Sequence, residues 1–353
     1  MHLSLAPLSR CLSSGRRRSV RRAIRFLIGV TSLSAVACTR ADDQQPIIGL
    51  VTKTETNPFF VKMKEGAEQA ATAQAVRLLV GAGRSDGDNA GQVAAIENQV
   101  AAGAKVILIS PSDAKAIVPT ISRLRRDGVL VIALDSPTDP LNATDGFFGT
   151  DNFKAGVLIG AYAKARLGAT APKVVTIDLI PGHPTGAQRH NGFLKGLGLP
   201  SNERESNENA APPEVVCMGD SVGDQAKAQT VMENCLQSAP GVNVVYAINE
   251  PSAAGAYNAL VKAGRDKDVF IVTVDGGCRG VADVAAGHFA ATAQQYPVRM
   301  AELGVQAGIE FLRSGKKPEG FIDTGVALVS DKKLDGVESL SVAEGTARCW
   351  GAK

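Results

Sequence analysis

Five short segments carry similar chemistry, and each follows an apolar run: Asn57-Pro58-Phe59-Phe60, Asp135, Asp151-Asn152, Asn249-Glu250 and Asp275-Gly276-Gly277. A carboxylate accepts hydrogen bonds in pairs, and an amide donates and accepts side by side, so both suit vicinal hydroxyls. An aromatic ring such as Phe59 or Phe60 rests well on the C–H face of the same kind of molecule. The set therefore suits a pyranose or furanose. Taken singly, each acid or amide also reads as a helix cap, and the Phe pair as core packing. Five in succession, beside two rings, are harder to explain by capping alone.

These residues need a scaffold that brings strand ends together. Apolar runs at Ile47–Val51, Val76–Val80, Val106–Ile109 and Val129–Leu134 alternate with Phe60–Ala73, Ala90–Ala102 and Ala114–Arg126, which have helical spacing. The alternation resumes with Val174–Ile177, Val215–Met218, Val244–Ile248 and Phe270–Val274. Such β-α units predict an α/β fold of two doubly wound parallel-sheet lobes. In these sheets a ligand sits beyond the carboxyl ends of the strands, where the five segments fall.

Composition narrows the function classes. The chain has 353 residues, 44% hydrophobic and 21% charged, enough for two cores. Its formal charge of +3 is set by seven arginines within residues 1–37, a stretch with no acid. Without them, 31 basic side chains face 35 acidic ones, and a net charge of −4 gives no reason to expect nucleic acid. Residues 1–37 read as a signal peptide: a basic region, then an apolar run of about 12 residues, too short to span a bilayer. Ala35-Val36-Ala37-Cys38 suits ordinary cleavage, and also lipidation of Cys38. Four cysteines then remain, Cys217, Cys235, Cys278 and Cys349, without a CxxC pair, and the four histidines form no HExxH. Metal-ligand spacing is absent.

With these segments in place, the chain resembles the periplasmic sugar-binding proteins of the ribose-binding type, and among them most the fructose-binding proteins of ABC importers. The resemblance runs from about Ile47 to Gly351. It rests on Thr52-Lys53-Thr54-Glu55-Thr56-Asn57-Pro58-Phe59-Phe60, Ser110-Pro111-Ser112-Asp113, Val131–Asp135 and Thr150-Asp151-Asn152. Ile248-Asn249-Glu250-Pro251, Val274–Cys278, Gln294-Gln295-Tyr296-Pro297 and Cys349-Trp350-Gly351 complete it. It implies a type I periplasmic binding protein with a three-crossing hinge near Thr150/Asp151, Gln295/Tyr296 and Thr324/Gly325. The first lobe would be residues 46–150 plus 296–324, the second 151–295 plus 325–353. Asn57, Phe59, Phe60 and Asp135 of the first lobe would face Asn152, Arg189, Asn249, Asp275 and Gln295 of the second lobe or hinge. The resemblance further implies a monomer that captures a monosaccharide in the periplasm without cofactor or catalysis. It would hand the sugar to a membrane permease and its ATPase, or present it to a chemoreceptor or sensor kinase.

Two positions depart from the ribose pattern. Ser136 follows Asp135 where that pattern has arginine, and Gly223 stands where it has an aromatic. Both changes are expected to enlarge the pocket and remove a positive charge, which favours a hexose, fructose first, over ribose. Rival motifs are thinner. Gly219-Asp220-Ser221-Val222-Gly223 matches G-x-S-x-G, with Asp275 and His288 following in hydrolase order, but no HGGG-type oxyanion segment accompanies it. Gly81-Ala82-Gly83 lacks the residues of a phosphate loop. For the cysteines, the resemblance implies a Cys278–Cys349 disulfide. Cys217 and Cys235 are expected to stay apart, since a helix returning along its strand would carry the second sulfur more than about 10 Å from the first.

Overall fold

The computed structural model describes residues 45–352; the stretch expected to be a signal peptide, residues 1–37, and Cys38 lie outside the described residues. The chain begins with β1 (Ile47–Thr52), α1 (Pro58–Ala73), β2 (Arg77–Ala82), α2 (Asn89–Ala101), β3 (Val106–Ile109), α3 (Val118–Arg126), β4 (Leu130–Leu134) and β5 (Gly146–Gly149). It continues with α4 (Asn152–Leu167), β6 (Val174–Asp178), α5 (Pro184–Leu197), β7 (Val215–Asp220), α6 (Gln225–Ser238) and β8 (Val244–Ala247). Next come α7 (Glu250–Lys262), β9 (Phe270–Asp275), α8 (Cys278–Ala285), β10 (Ala291–Gln294) and α9 (Pro297–Ser314). The chain closes with β11 (Phe321–Asp323), β12 (Ala327–Ser330) and α10 (Val342–Arg348).

Two six-stranded sheets result, ordered β11-β5-β4-β3-β1-β2 and β12-β10-β9-β8-β6-β7. The first is parallel throughout; in the second only β12 runs antiparallel, against β10. β1, β3 and β4 are buried along their whole length, because helices cover both sheet faces. Met63 and Ala67 of α1 join Met300, Ala301 and Val305 of α9 on one face of the first sheet. Ile96 of α2 and Ile121 of α3 fill the other. The chain passes from one sheet to the other after β5, after β10 and after β11, so strand ends from both sheets meet at one cleft.

In the second sheet the helix pair α4 and α5 sets the position of a functional side chain. A Cβ on Gly156 would lie 2.2 Å from Arg189 O, and one on Gly192 2.2 Å from Phe153 O. Only glycine at both positions lets the two backbones approach this closely. The contact fixes Arg189 on the cleft side of α5. Across the cleft the lobes touch: Thr185 Oγ1 donates to Ser136 Oγ (3.3 Å), and Asn207 Nδ2 to Asp139 Oδ2 (2.9 Å).

Candidate functional site

Between the sheets lies a small, partly open cavity of about 30 Å³, lined by Asn57, Phe59, Phe60, Asp135, Arg189, Asn249, Asp275 and Gln295. Asn152 does not line it. Its Oδ1 instead accepts Arg189 Nε at 2.7 Å, so it stands behind the guanidinium. Capping and site roles coincide. Asn57 Oδ1 caps α1 through Phe59 N, and Asn249 Oδ1 caps α7 through Ser252 N. The oxygen of each amide is spent on the helix, and the nitrogen remains available. Asn249 Nδ2 reaches only Gly223 O, at 3.3 Å.

The two aspartates sit on uncommon backbone: φ is 64° at Asp135 and 142° at Asp275. L-residues rarely adopt such values, and strain of about 1–3 kcal/mol tends to collect at functional positions. Ser110 Oγ and Ser136 Oγ donate to Asp135 Oδ2 at 3.2 and 2.9 Å. Asp275 Oδ1 accepts Gln295 Nε2 at 2.8 Å, and its Oδ2 accepts Glu250 N at 3.2 Å. Burial pushes the Asp275 carboxyl up to about 6, against the pull of Arg189. Arg189 is itself held on three sides: by Asn152, by Ile248 O (3.0 Å) and by Gln295 Oε1 (3.2 Å).

Five lining residues were not among the expected site residues: Lys53, Asp86, Leu179, Thr185 and Ile248. Lys53 is 3% exposed, yet its ammonium has only long contacts, to Asp86 Oδ1 (3.6 Å) and His183 Nε2 (3.5 Å). Burial raises the Asp86 carboxyl above its ordinary value, with Lys53 opposing the shift. Burial, then the neighbouring Lys53, hold the His183 imidazole well below its ordinary value. A neutral His183 facing an under-bonded ammonium leaves Lys53 able to donate to a guest oxygen. Lys53 was visible as a lysine inside a buried strand-end motif, whereas Asp86 lies in a glycine-flanked loop that gave no signal.

A family model described as a periplasmic binding protein domain matches residues 48–317. The chain belongs to this family. Among similar members is the ribose import binding protein of Haemophilus influenzae, 31% identical over 85% of this chain and 96% of that one. The D-allose-binding periplasmic protein of Escherichia coli is 28% identical over 76% of this chain and 85% of its own. The crystal structure of an ABC transporter solute binding protein from Mycobacterium smegmatis, with bound glycerol, superposes with a TM-score of 0.71 at 27% identity. It covers 81% of this chain and 94% of its own. The two α/β lobes expected from the sequence are those of this family's fold.

Within that family frame, the two departures from the ribose pattern do something other than expected. Gly223 does not open space: a Cβ there would lie 2.9 Å from Asn249 Nδ2 and 3.2 Å from Asp86 Oδ2. Asn249 of its own lobe and Asp86 of the first already take up the space beside Gly223. Nor is the pocket short of positive charge, because Lys53 supplies one from another strand end. Ser136, fully buried, braces Asp135 and meets Thr185 across the cleft.

The hydrolase arrangement does not assemble. Ser221 is fully buried, donates to Asp178 O at 2.9 Å and lies 2.8 Å from Ser252 Oγ. Asp275 is engaged with Gln295, and His288 with Asp283 (2.9 Å). The cysteines require one correction. Cys278 and Cys349 are joined, with Cα atoms 4.9 Å apart, but Cys217 and Cys235 are joined as well, at 5.6 Å. β7 runs on to Asp220, which puts Cys217 in the first half of the strand rather than at its end. The returning α6 therefore delivers Cys235 to its side.

Proposed function

We propose that this protein is the exported binding component of an ABC sugar importer, taking a monosaccharide, a hexose with fructose foremost, between its two lobes. One observation carries the reading: eight polar or aromatic side chains foreseen from the sequence, six at strand ends and Arg189 and Gln295 through the family resemblance, line a single cavity, with two phenyl rings among carboxylates, amides and a guanidinium. Asp135, Asp275, Asn57, Asn249 and Gln295 would bond hydroxyls in pairs. Arg189 would donate its planar fork to ring or hydroxyl oxygens, and Phe59 and Phe60 would cover the C–H face. Lys53 and Asp86 add a donor and an acceptor beyond that set, which suits a sugar with a sixth oxygen. The bodies that close would be residues 46–150 plus 296–324 and 151–295 plus 325–353. Their closure excludes water and strengthens each polar contact. The relatives named for ribose and allose import support the sugar class and delivery to a permease and ATPase.

A thermal-shift screen over neutral monosaccharides tests the proposal, since a ligand at 100 times its Kd stabilises the fold by about 2.7 kcal/mol. D-fructose and other hexoses should shift the transition and D-ribose should shift it less. Tighter binding of ribose would reverse the hexose assignment. No shift with any sugar would remove the sugar reading altogether.

A further inference from the structure

The C-terminal tail crosses the lobes at a point the sugar reading does not use. α10 packs against α8 and β12 of the second sheet, and directly after it Cys349 is bonded to Cys278 at the start of α8. Cys278 N donates to Trp350 O at 2.8 Å, which pins the next residue too. From that anchor the indole reaches out of its own lobe. Trp350 Nε1 donates to Gln295 O at 2.7 Å, at the crossing between β10 and α9. Its ring meets Phe59 edge to face, with centroids 5.5 Å apart and planes at 77°. Phe59 in turn stands edge to face against Phe60 at 5.3 Å. Phe59 and Gln295 line the sugar cavity, whereas Trp350 lies outside it, on the larger neighbouring groove.

We infer that Trp350 is a positioning residue for the sugar site, a clasp held by the Cys278–Cys349 bridge that fixes the Phe59 ring and the Gln295 backbone. Gln295 joins Thr150, Arg189 and Asp275 through its side chain, so holding its carbonyl steadies the polar network from behind. Without this anchor nothing after α10 would hold the indole in place, and the bridge keeps it from turning away. The affinity part of the inference rests on the sugar reading; the anchoring part does not.

Two measurements test it. Sugar affinity and dissociation rate are compared for wild type, Trp350→Ala, Trp350→Phe and the pair Cys278→Ser/Cys349→Ser, with Cys217→Ser/Cys235→Ser as control. Trp350→Ala and the Cys278/Cys349 pair should each weaken binding about tenfold through faster dissociation, and Trp350→Phe, which keeps the ring contact, should come back to within about threefold of wild type. The control pair should bind as wild type. In ligand-free protein, acrylamide quenching of Trp350, the sole tryptophan, should rise when the Cys278–Cys349 bridge is removed and not when Cys217–Cys235 is. Unchanged quenching overturns the anchoring. Wild-type affinity in Trp350→Ala, or equal losses in both cysteine pairs, overturns the positioning role. A wild-type protein that binds no sugar defeats the functional reading and leaves the quenching result to decide the clasp.

Discussion

On the second-lobe side of the cleft the polar side chains are bonded to one another: Arg189 to Asn152 and Gln295, Gln295 to Asp275. On the first-lobe side they are held singly, Asn57 by its helix cap, Asp135 by two serine hydroxyls, and Lys53 by contacts no shorter than 3.5 Å. A network that is already ordered loses little entropy when a ligand arrives, whereas singly held groups must still settle. On the proposed reading the second lobe would be a preformed half-site, and the first lobe would supply groups that become fully bonded only around a guest.

The comparison breaks most sharply at Arg189. Arg189→Met removes the centre of the preformed half and leaves Asp275 without its counter-charge. Affinity by calorimetry should fall by about 2–5 kcal/mol, the scale for removing a buried, hydrogen-bonded charged group from a binding site. A loss smaller than that of Asp135→Ala would show that the network is not what holds the ligand.

Removing one carboxylate from either face should cost less. Asp275→Ala and Asp135→Ala should each weaken binding by about 1.5–3 kcal/mol, as for a hydrogen bond to a charged group. Unchanged affinity would reduce that residue to a structural role. Asp275 also makes the asymmetry visible in pH. Its folded value of about 6 lies above the ordinary 3.8, so the native chain takes up this proton before the unfolded one. The group favours the ligand-free fold below pH 3.8, and that contribution is lost as pH rises through about 6. Binding has the opposite sign, because sugar hydroxyls donate to the charged form. Affinity should be highest above pH 6 and fall below it, and Asp275→Asn should flatten the profile; a flat wild-type profile would contradict this.

The smallest effect belongs to the loosely held pair. Lys53→Met alone leaves Asp86 buried without its cation, while Lys53→Met/Asp86→Asn removes both charges. The double variant should bind sugar better than the sum of the single losses, by about 1 kcal/mol of coupling. Strict additivity would mean that the two side chains act independently.

What the sequence made legible follows the same division. Asp135, Asn249 and Asp275 could be read because each ends a Val- or Ile-rich strand, where period and chemistry change together. Gln295 and Arg189 came through the family resemblance, since β10, Ala-Thr-Ala-Gln, lacks the branched residues that mark a strand. β5, Gly-Phe-Phe-Gly, was equally faint. Asp86 was invisible because its loop owes its place to the opposite lobe, with Gly223 making room for it. The Cys217–Cys235 bridge was missed by two residues of strand length, enough to move a sulfur from one end of a helix to the other.

The three crossings also bear on how the chain is made. α9 completes the core over α1, and β11 completes the sheet edge beside β5, yet both are encoded after residue 296. During synthesis the first lobe therefore has its strands long before it has its cover, with Met63 and Ala67 waiting for Met300, Ala301 and Val305. Contacts this distant in sequence form slowly. A nascent chain of this kind cannot complete its first lobe until about its last sixth has left the ribosome, so the apolar face that Met63 and Ala67 present depends for its cover on the latest-made segment.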